Sequence, residues 1–281
     1  AEAVRSYYEE LAHGVQREIQ TLNSLAEQRG FVPCDGSQIV AMEEGVGYEV
    51  FMLSRYRMTL ERYMHRNPMT HLSALNLGID LCAALSLCRR AGFIYTALKP
   101  GNIFISGQRE YRIGDLGFVP IDSLAFTSLP GRYRSAYSPR EVQDDFNPLN
   151  DTVDTYAVGM ILYQIYNDGN LPAMPKDPTE AYPAPANADY EIAEIIMKAL
   201  DPQPEKRWAD PMEMGQALVA YMQRNSVNDT PIAPPAFSLD EAIPTEMPPI
   251  IVSDAPADAE NSEELEFLQE MVSDDTAPGE E

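Results

Sequence analysis

Arg224 divides the sequence into two parts of very different charge. All 20 basic residues of the 281-residue chain lie at or before this position, whereas residues 225–281 carry 15 acidic residues, eight prolines and no basic residue. A segment of this composition cannot bury enough apolar surface to offset the conformational entropy that folding removes. We therefore predict that residues 225–281 form a disordered acidic tail that is dispensable for folding, and that the folded part is confined to residues 1–224.

One stretch of the tail has apolar residues at helical spacing. Residues 263–272 (EELEFLQEMV) place Leu265, Leu268 and Met271 on one side of a helix. Two interpretations stay open at this point. The stretch is either a transient helix in a solvated tail or a motif that docks into the groove of a partner protein.

The charge and the cysteines of the remaining sequence argue against several classes of protein. Residues 1–224 contain 29 acidic and 20 basic residues, a net charge of −9, which disfavours broad electrostatic binding to nucleic acid. Cys34, Cys82 and Cys88 lack the spacing of a metal site and fit a reducing compartment, so we expect a cytoplasmic protein. No run approaches the ~20 apolar residues that a membrane helix needs, so we expect no membrane segment within this chain.

The pattern of apolar residues predicts a mainly helical domain with a few short strands. Helices are predicted over residues 1–29, 59–65, 72–91, 153–166, 190–200 and 211–224. A β-hairpin is predicted over residues 38–43 and 48–54, around Gly45 and Gly47, and short strands over residues 103–105 and 111–113. Residues 115–140 and the proline-rich residues 170–188 are predicted to be irregular.

Two short polar clusters stand close together in the sequence. The first is residues 99–102 (KPGN), and the second is residues 115–117 (DLG), which begins thirteen positions after Asn102. Asn102 and Asp115 each lie beside a predicted strand, and both supply oxygen ligands of the kind that Mg²⁺ prefers. Lys99 lies close enough to Asn102 to reach a phosphoryl group held at such a site. Each cluster alone is a weak signal.

The order of these clusters and of several others resembles the protein kinase family. Residues 95–102 (YTALKPGN) resemble the catalytic-loop pattern HRDLKPxN, residues 115–117 resemble DFG, residues 138–141 (SPRE) resemble a shifted APE, and residues 154–159 (DTYAVG) resemble DxxxxG. Upstream, Glu18 resembles the glutamate of helix C, and Leu53 begins the segment where the hinge between the lobes should lie. The resemblance covers about residues 10–224.

The resemblance implies an α+β, protein-kinase-like fold in three parts. Residues 1–54 would be a remnant of the small β lobe, residues 55–224 a mainly helical large lobe, and residues 225–281 the tail.

The resemblance also assigns roles to particular residues. Asn102 and Asp115 would hold Mg²⁺, and together with Glu18 and Leu53 they would contact ATP. Lys99 would neutralise charge on the transferred phosphate.

Three further residues receive structural roles from the resemblance. Glu141 and Arg207 would form a buried ion pair that fastens the activation segment to the helical lobe, and removing one partner would leave the other charge unpaired. Asp154 would brace the catalytic loop through the backbone of that loop.

The sequence departs from the kinase pattern at several catalytic positions. Ala97 stands where the family has the catalytic aspartate, and Tyr95 and Thr96 stand where it has histidine and arginine. No lysine precedes Lys99 and no glycine-rich loop precedes Glu18, so the parts that anchor and cover ATP in the family are absent from this chain. The missing start fits a truncated sequence, since the chain begins at Ala1. Ala97 lies in mid-chain and indicates either an evolved loss or an engineered inactivation.

These observations predict a protein kinase domain of the Ser/Thr type, bacterial in character, that is inactive or weakly active as it stands. Its lineage would transfer the γ-phosphoryl group of ATP to protein hydroxyls with Mg²⁺. The alternative is a pseudokinase interaction module whose helical lobe and acidic tail bind a protein partner. A small-molecule phosphotransferase of the same fold is disfavoured by the arrangement of Glu141, Asp154 and Arg207.

Overall fold

The structure is a computed structural model, and it describes residues 2–28, 30–42, 47–56, 58–107, 109–127, 131–142, 148–177 and 179–232. Three predictions fall outside these residues. They concern the hairpin turn at Gly45, the disorder of the tail beyond residue 232, and the apolar stretch of the tail at residues 263–272.

The small lobe consists of a long helix and a two-stranded hairpin. α1 (Glu2–Ala26) buries three apolar residues of its second half, Ile19, Leu22 and Leu25. β1 (Gly36–Ala41) and β2 (Tyr48–Leu53) pair in antiparallel register, as the sequence predicts. The side chain of Asn23 fastens the helix to the approach of the hairpin, because its amide nitrogen donates to the Cys34 carbonyl at 3.2 Å and its oxygen accepts from the Cys34 N–H at 2.8 Å.

The large lobe is a group of closely packed helices. They are α2 (Leu60–Met64), α3 (His71–Arg90), α4 (Val153–Ile165), α5 (Tyr190–Ala199) and α6 (Pro211–Arg224). α3 and α6 approach closely at Gly78, where a Cβ would lie 2.7 Å from a methyl carbon of Leu218. α4 is buried almost all round, as its composition predicts, and a Cβ at Gly159 would lie 2.6 Å from the Cβ of Ala199 on α5.

The central helix of this lobe has the length and composition of a membrane span. α3 is the one helix among the described residues that is long and apolar enough to cross a membrane by these two measures. More than half of its apolar stretch is buried in the lobe, where α3 packs against α4 and α6. The buried core helix of a folded domain passes the same test, so the finding is weak evidence for a membrane span.

Four short strands lie where the two lobes meet. β3 (Phe93–Tyr95) pairs with β6 (Phe118–Pro120), and β4 (Ile103–Ile105) pairs with β5 (Tyr111–Ile113), both in antiparallel register. The sequence predicts β4 and β5 but treats β6 as part of a loop and does not predict β3. Strands of three residues are too short to show a period of two, and β6 forms because it pairs with a strand more than 20 positions away.

The first residues of the predicted tail are part of the folded lobe. Residues 227–232, which we call the C-terminal strap, run along the start of α3. The Ile232 N–H donates to the Met69 carbonyl at 2.9 Å, and the Thr70 hydroxyl donates to a carboxylate oxygen of Asp229 at 2.6 Å. Val227 and Ile232 also pack against the apolar core. The folded part therefore extends beyond the predicted boundary at Arg224. Two apolar side chains and a few main-chain bonds hold the strap to the lobe, although the stretch as a whole is acidic and contains proline.

Candidate functional site

Two adjoining cavities occupy the region where the strands and α1 meet. The larger has a volume of about 350 Å³ and is lined by Val15, Val50, Ala97, Lys99, Asn102, Asp115, Leu116 and Tyr133. The smaller has a volume of about 180 Å³, and its walls include Met52, Leu53, Phe104, Asn102 and Asp115. Both cavities therefore share the two residues that the sequence predicts to hold a metal ion. We call this paired space the cleft.

Asn102 is fixed by the loop that precedes it. A 3₁₀ turn over Pro100–Asn102 leads into β4, and the Asn102 N–H donates to the Lys99 carbonyl at 2.9 Å. The side-chain nitrogen of Asn102 donates to the Ala97 carbonyl, also at 2.9 Å, which closes the loop on itself. Because the nitrogen is committed in this way, the side-chain oxygen is the atom of Asn102 that remains available as an acceptor or metal ligand.

Asp115 lies at the end of β5 in an unusual backbone conformation. Its φ angle is +71°, in the left-handed region that few non-glycine residues adopt. One carboxylate oxygen accepts the Leu116 N–H at 2.8 Å, and the side chain is exposed at the cleft. Since Mg²⁺ is commonly held by one or two carboxylates and by substrate phosphates, Asp115 and the oxygen of Asn102 suit this ion. The described residues contain no cluster of three or more His, Cys, Asp or Glu side chains that would form a metal cage without a phosphate.

Ala97 presents a methyl group at the wall of the cleft. The residue is 7% exposed, and Gly117 lies against it. A Cβ at Gly117 would lie 2.6 Å from the Cβ of Ala97, and Gly117 has a φ of +141°. Both the space and the backbone conformation therefore require glycine at this position.

The two residues before Ala97 bind the Asp115 segment. The buried hydroxyl of Tyr95 donates to the Gly114 carbonyl at 2.6 Å, and burial raises the pKa of this hydroxyl well above its ordinary value, so it stays protonated. Thr96 donates to the Gly117 carbonyl twice, from its N–H and from its hydroxyl, both at 2.9 Å. The tyrosine and threonine that depart from the kinase pattern thus hold the backbone on either side of Asp115.

Glu18 lies behind the Asp115 segment. One of its carboxylate oxygens accepts the Gly117 N–H at 2.8 Å and the Phe118 N–H at 3.2 Å. Glu18 lines a separate groove between α1 and the β3–β6 pair, and it does not line either cavity of the cleft. The contact of Glu18 with a nucleotide stays a prediction. In the structure, Glu18 instead binds the backbone of Gly117 and Phe118.

The remaining predicted site residues, Lys99 and Leu53, both lie at the cleft. Lys99 lines the larger cavity, beside Ala97 and Asn102. Leu53 lines the smaller cavity with a side chain that is 67% exposed, and its carbonyl accepts the Asp35 N–H at 2.8 Å. The roles of both residues towards ATP stay predictions.

The sequence analysis did not identify three residues of the larger cavity, Val15, Val50 and Tyr133. Val15 and Val50 fit the apolar patterns of α1 and β2, and nothing in the sequence marks them as residues of a site. Tyr133 lies in a stretch rich in Ser, Pro and Arg, whose path no periodicity reveals. Only the folded chain brings these side chains to the cleft.

The predicted ion pair of the large lobe is present. Arg207 donates to both carboxylate oxygens of Glu141, at 2.6 and 3.1 Å, and its side chain is 1% exposed against 26% for Glu141. Arg207 also donates to the Asp201 carbonyl at 2.8 Å and lies over the ring of Tyr156. A two-pronged pair of this kind is among the stronger charge-assisted contacts in proteins.

Asp154 is fully buried, but its described partners differ from the prediction. Its carboxylate binds the Arg89 guanidinium at 2.8 and 3.2 Å and accepts the Thr155 N–H at 2.7 Å. Burial raises the pKa of Asp154, and the charge of Arg89 opposes this shift. Arg89 also donates to the Asp151 carbonyl, so this pair joins the end of α3 to the start of α4. The predicted contact with the catalytic loop is not among the described bonds of Asp154.

Comparison with known proteins agrees with this arrangement. The family model for the protein kinase domain matches residues 5–275. The serine/threonine-protein kinase PknB of Mycobacterium tuberculosis (strain H37Rv) is 28% identical over 180 residues, which is 58% of this chain and 28% of PknB. The probable serine/threonine-protein kinase PknB of Lactococcus lactis is 24% identical over 174 residues, and the serine/threonine-protein kinase PknL of M. tuberculosis is 24% identical over 193 residues.

The chain spans only part of these relatives. It covers 28% of M. tuberculosis PknB, 27% of the L. lactis protein and 48% of PknL. The match of the family model nevertheless extends over nearly the whole sequence, and the ion pair, the cleft and the order of the motifs agree with it. This chain belongs to the protein kinase family.

Proposed function

We propose that this chain is a Ser/Thr-type protein kinase domain that catalyses little or no phosphoryl transfer as it stands. The observation that carries the proposal is the methyl group of Ala97 at the wall of the cleft, beside Lys99 and Asn102. A methyl group neither accepts the proton of a substrate hydroxyl nor orients that hydroxyl. Loss of such a group typically lowers the rate by about 10²–10⁴-fold.

The same cleft supports the binding of ATP with Mg²⁺. The apolar wall formed by Met52, Leu53 and Phe104 suits the flat face of a nucleotide base. Asn102 and Asp115 would hold the metal ion, which when bound neutralises charge on the phosphates, and Lys99 would add a second positive charge there. Among the described residues that line the cleft, Lys99 is the one lysine, so the phosphates would meet a single ammonium group there.

The test is turnover of radiolabelled ATP with a generic protein substrate. The unmodified chain should show a rate near background, whereas Ala97→Asp should raise it at least about tenfold if the missing base is the main defect. Ala184→Asp makes the same change at an exposed position away from the cleft lining and should leave the rate at background. Asp115→Asn in the Ala97→Asp chain should abolish the gain, which excludes a contaminating kinase. A rate of about 1–100 s⁻¹ for the unmodified chain, typical of kinases, would refute the proposal.

A second function, that of a non-catalytic interaction module, is favoured by the outer face of the hairpin. Val40 and Phe51 lie on one face of the hairpin, line neither cavity of the cleft, and are 38% and 54% exposed. Exposed apolar faces of this kind are typical of protein contact surfaces. Docking of the acidic tail to a partner is part of the same alternative.

A thermal-shift measurement with ATP, with and without Mg²⁺, separates the two functions. A ligand that binds only the folded state raises the midpoint of unfolding, so a Mg²⁺-dependent rise supports the kinase site. No shift at millimolar ATP, with a folded and monomeric sample, favours the interaction module.

A further inference from the structure

The groove between α1 and the β3–β6 pair, which we call the α1 groove, has a volume of about 760 Å³ and is larger than either cavity of the cleft. Its apolar lining consists of Leu25, Ala91, Phe93, Phe118 and Pro120. Two charged residues of α1, Arg17 and Glu18, also line it. Glu18 binds the N–H groups of Gly117 and Phe118, whereas Arg17 is exposed and has no ion pair among the described contacts. The groove therefore combines an apolar surface with one exposed positive charge.

A 3₁₀ helix over Ile121–Phe126, which we call the Phe126 turn, begins directly after the groove residue Pro120. Phe126 is 92% exposed, and Ile121 is 40% exposed. The backbone of the turn is nevertheless fixed, because the Ile121 N–H donates to the Gly92 carbonyl at 2.9 Å and Leu124 is buried in an apolar cluster. The turn therefore holds an aromatic ring in the solvent, and aromatic residues of this kind are enriched in protein interfaces.

The Phe126 turn and the α1 groove have complementary chemistry. Phe126 is an apolar side chain without an apolar surface around it, and the groove is an apolar surface whose space no side chain of its own chain fills. Asp122 is exposed in the first turn of the same 3₁₀ helix and has the charge opposite to that of Arg17 at the groove. Opposite charges beside an apolar contact fix the orientation in which two surfaces meet.

The turn and the groove also belong to one patch of the surface. Pro120 lines the groove, and a 3₁₀ helix rises by about 2 Å per residue, so Phe126 begins no more than about 12 Å from Pro120 along the helix. In a dimer with two-fold symmetry the same patch of both copies meets, so a contact between turn and groove is made twice. A patch that contains both the anchor and its receptor is therefore complementary to a second copy of itself.

We infer that this chain self-associates through this patch: Phe126 of each copy enters the α1 groove of the other, and Asp122 of each copy pairs with Arg17 of the other. An interface with one aromatic anchor and one exposed ion pair per copy is small, so we expect a dissociation constant of about 1–100 µM. The inference goes beyond the proposed function and depends on neither nucleotide binding nor turnover.

Sedimentation velocity of the full chain, over about 1–200 µM, measures the monomer–dimer equilibrium. Phe126→Asp should raise the dissociation constant at least about thirtyfold, because a charge replaces the aromatic anchor. The exposure of Phe126 means that this change should leave folding intact. Tyr190→Asp replaces another exposed aromatic residue, 77% exposed on α5, and should leave the dissociation constant unchanged. A monomer at every concentration, or equal effects of the two variants, would overturn the inference.

Charge reversal tests the predicted pairing of Asp122 with Arg17. Arg17→Glu and Asp122→Arg should each raise the dissociation constant by about threefold to tenfold, because each places two like charges opposite one another in the dimer. The chain with both changes restores opposite charges and should return to the dissociation constant of the unmodified chain. A double variant that dimerises no better than the single variants would overturn this arrangement of the two copies.

Cross-linking distinguishes a second copy from the same chain. Gln20 lines the α1 groove, so a short bismaleimide should join Phe126→Cys chains to Gln20→Cys chains in a mixture. The native cysteines are buried and should not react. Glu10→Cys is the matched control, because Glu10 is exposed on the same helix but does not line the groove, and it should link at least about tenfold more slowly. A chain that carries both Phe126→Cys and Gln20→Cys should also give a covalent dimer. A linked product of monomer mass would show that Phe126 reaches the groove of its own chain and would overturn the inference.

Discussion

In the helical lobe, the charged residues that match kinase motifs form ion pairs in which one member is buried, whereas in the cleft two such positions are filled by Ala97 and Thr96. Arg207 binds Glu141 with both prongs, and Arg89 binds the fully buried Asp154. In the cleft, Thr96 and Tyr95 form hydrogen bonds to backbone carbonyls. The difference teaches that the interactions that hold this fold together do not depend on the groups that perform its chemistry, so a matching motif in one region says little about the other.

The largest effect is expected on breaking the ion pair of Arg207 and Glu141. Glu141→Ala leaves a guanidinium that is 1% exposed without its carboxylate and should cost about 3–5 kcal/mol in the free energy of unfolding. Arg207→Ala should lower the free energy of unfolding by less than Glu141→Ala does, because the unpaired carboxylate of Glu141 is 26% exposed and water can solvate it. The double variant should cost clearly less than the sum of the two single variants, because contacting partners couple.

Urea unfolding measures this prediction. Far-ultraviolet circular dichroism reports global unfolding, and the fluorescence of Trp208, the only tryptophan of the chain, reports the immediate surroundings of Arg207. Arg224→Ala breaks a surface pair with Glu191 in the same lobe and should change stability by no more than about 1 kcal/mol. If Glu141→Ala and Arg207→Ala each change stability as little as Arg224→Ala does, and their effects add in the double variant, the pair does not fasten the activation segment.

An intermediate effect is expected on removing the C-terminal strap. A chain that ends after Arg224 loses the bonds of residues 229–232 to the start of α3 and the packing of Val227 and Ile232. We expect a loss of about 1–3 kcal/mol, and therefore a midpoint of thermal unfolding several degrees lower. A chain that ends after Ile232 keeps these contacts and is the matched control, with an unchanged midpoint. Equal midpoints for the two chains would restore the sequence-based boundary at Arg224.

The comparison of the two regions also explains which features the sequence predicts. Helices such as α3 and α4 follow from the spacing of apolar residues, because burial of one face or of the whole surface is a local pattern. β3 and β6 have three residues each and form only because they pair with each other, so no local pattern marks them. The strap was missed because composition averages over a segment, whereas its contacts come from two individual, partly buried side chains, Val227 and Ile232.

The site shows the same division. The order of the motifs predicts that Asn102 and Asp115 are close together, and both line the same two cavities. The partner of Asp154 was not predictable, because Arg89 comes from the far end of another helix and no spacing rule relates the two positions. Glu18 binds the backbone N–H groups of Gly117 and Phe118, which lie about 100 positions away in the sequence. Nearly every residue type has such an N–H group, so the identities of the residues do not predict these bonds.

The smallest effect is expected at an exposed ion pair of the small lobe. Arg55 donates to Asp35 at 2.6 and 3.2 Å, but its side chain is 74% exposed. The hydrogen bond from Arg55 lowers the pKa of Asp35 below its ordinary value. A carboxyl whose pKa is lowered on folding stabilises the protein above its unfolded-state pKa, and this contribution is lost as the pH falls through the folded-state value, below about pH 4.

Arg55→Gln should therefore raise the pKa of Asp35 in an NMR titration and leave the urea midpoint at pH 7 unchanged, because water and salt screen charges at this position. The comparison with Glu141→Ala is direct, since both variants remove one partner of a two-pronged Arg–carboxylate pair, and the pairs differ mainly in burial. If Arg55→Gln lowers the urea midpoint as much as Glu141→Ala does, burial is not what separates the two pairs. The loss of stability in Glu141→Ala would then not be explained by the burial of the Arg207 guanidinium.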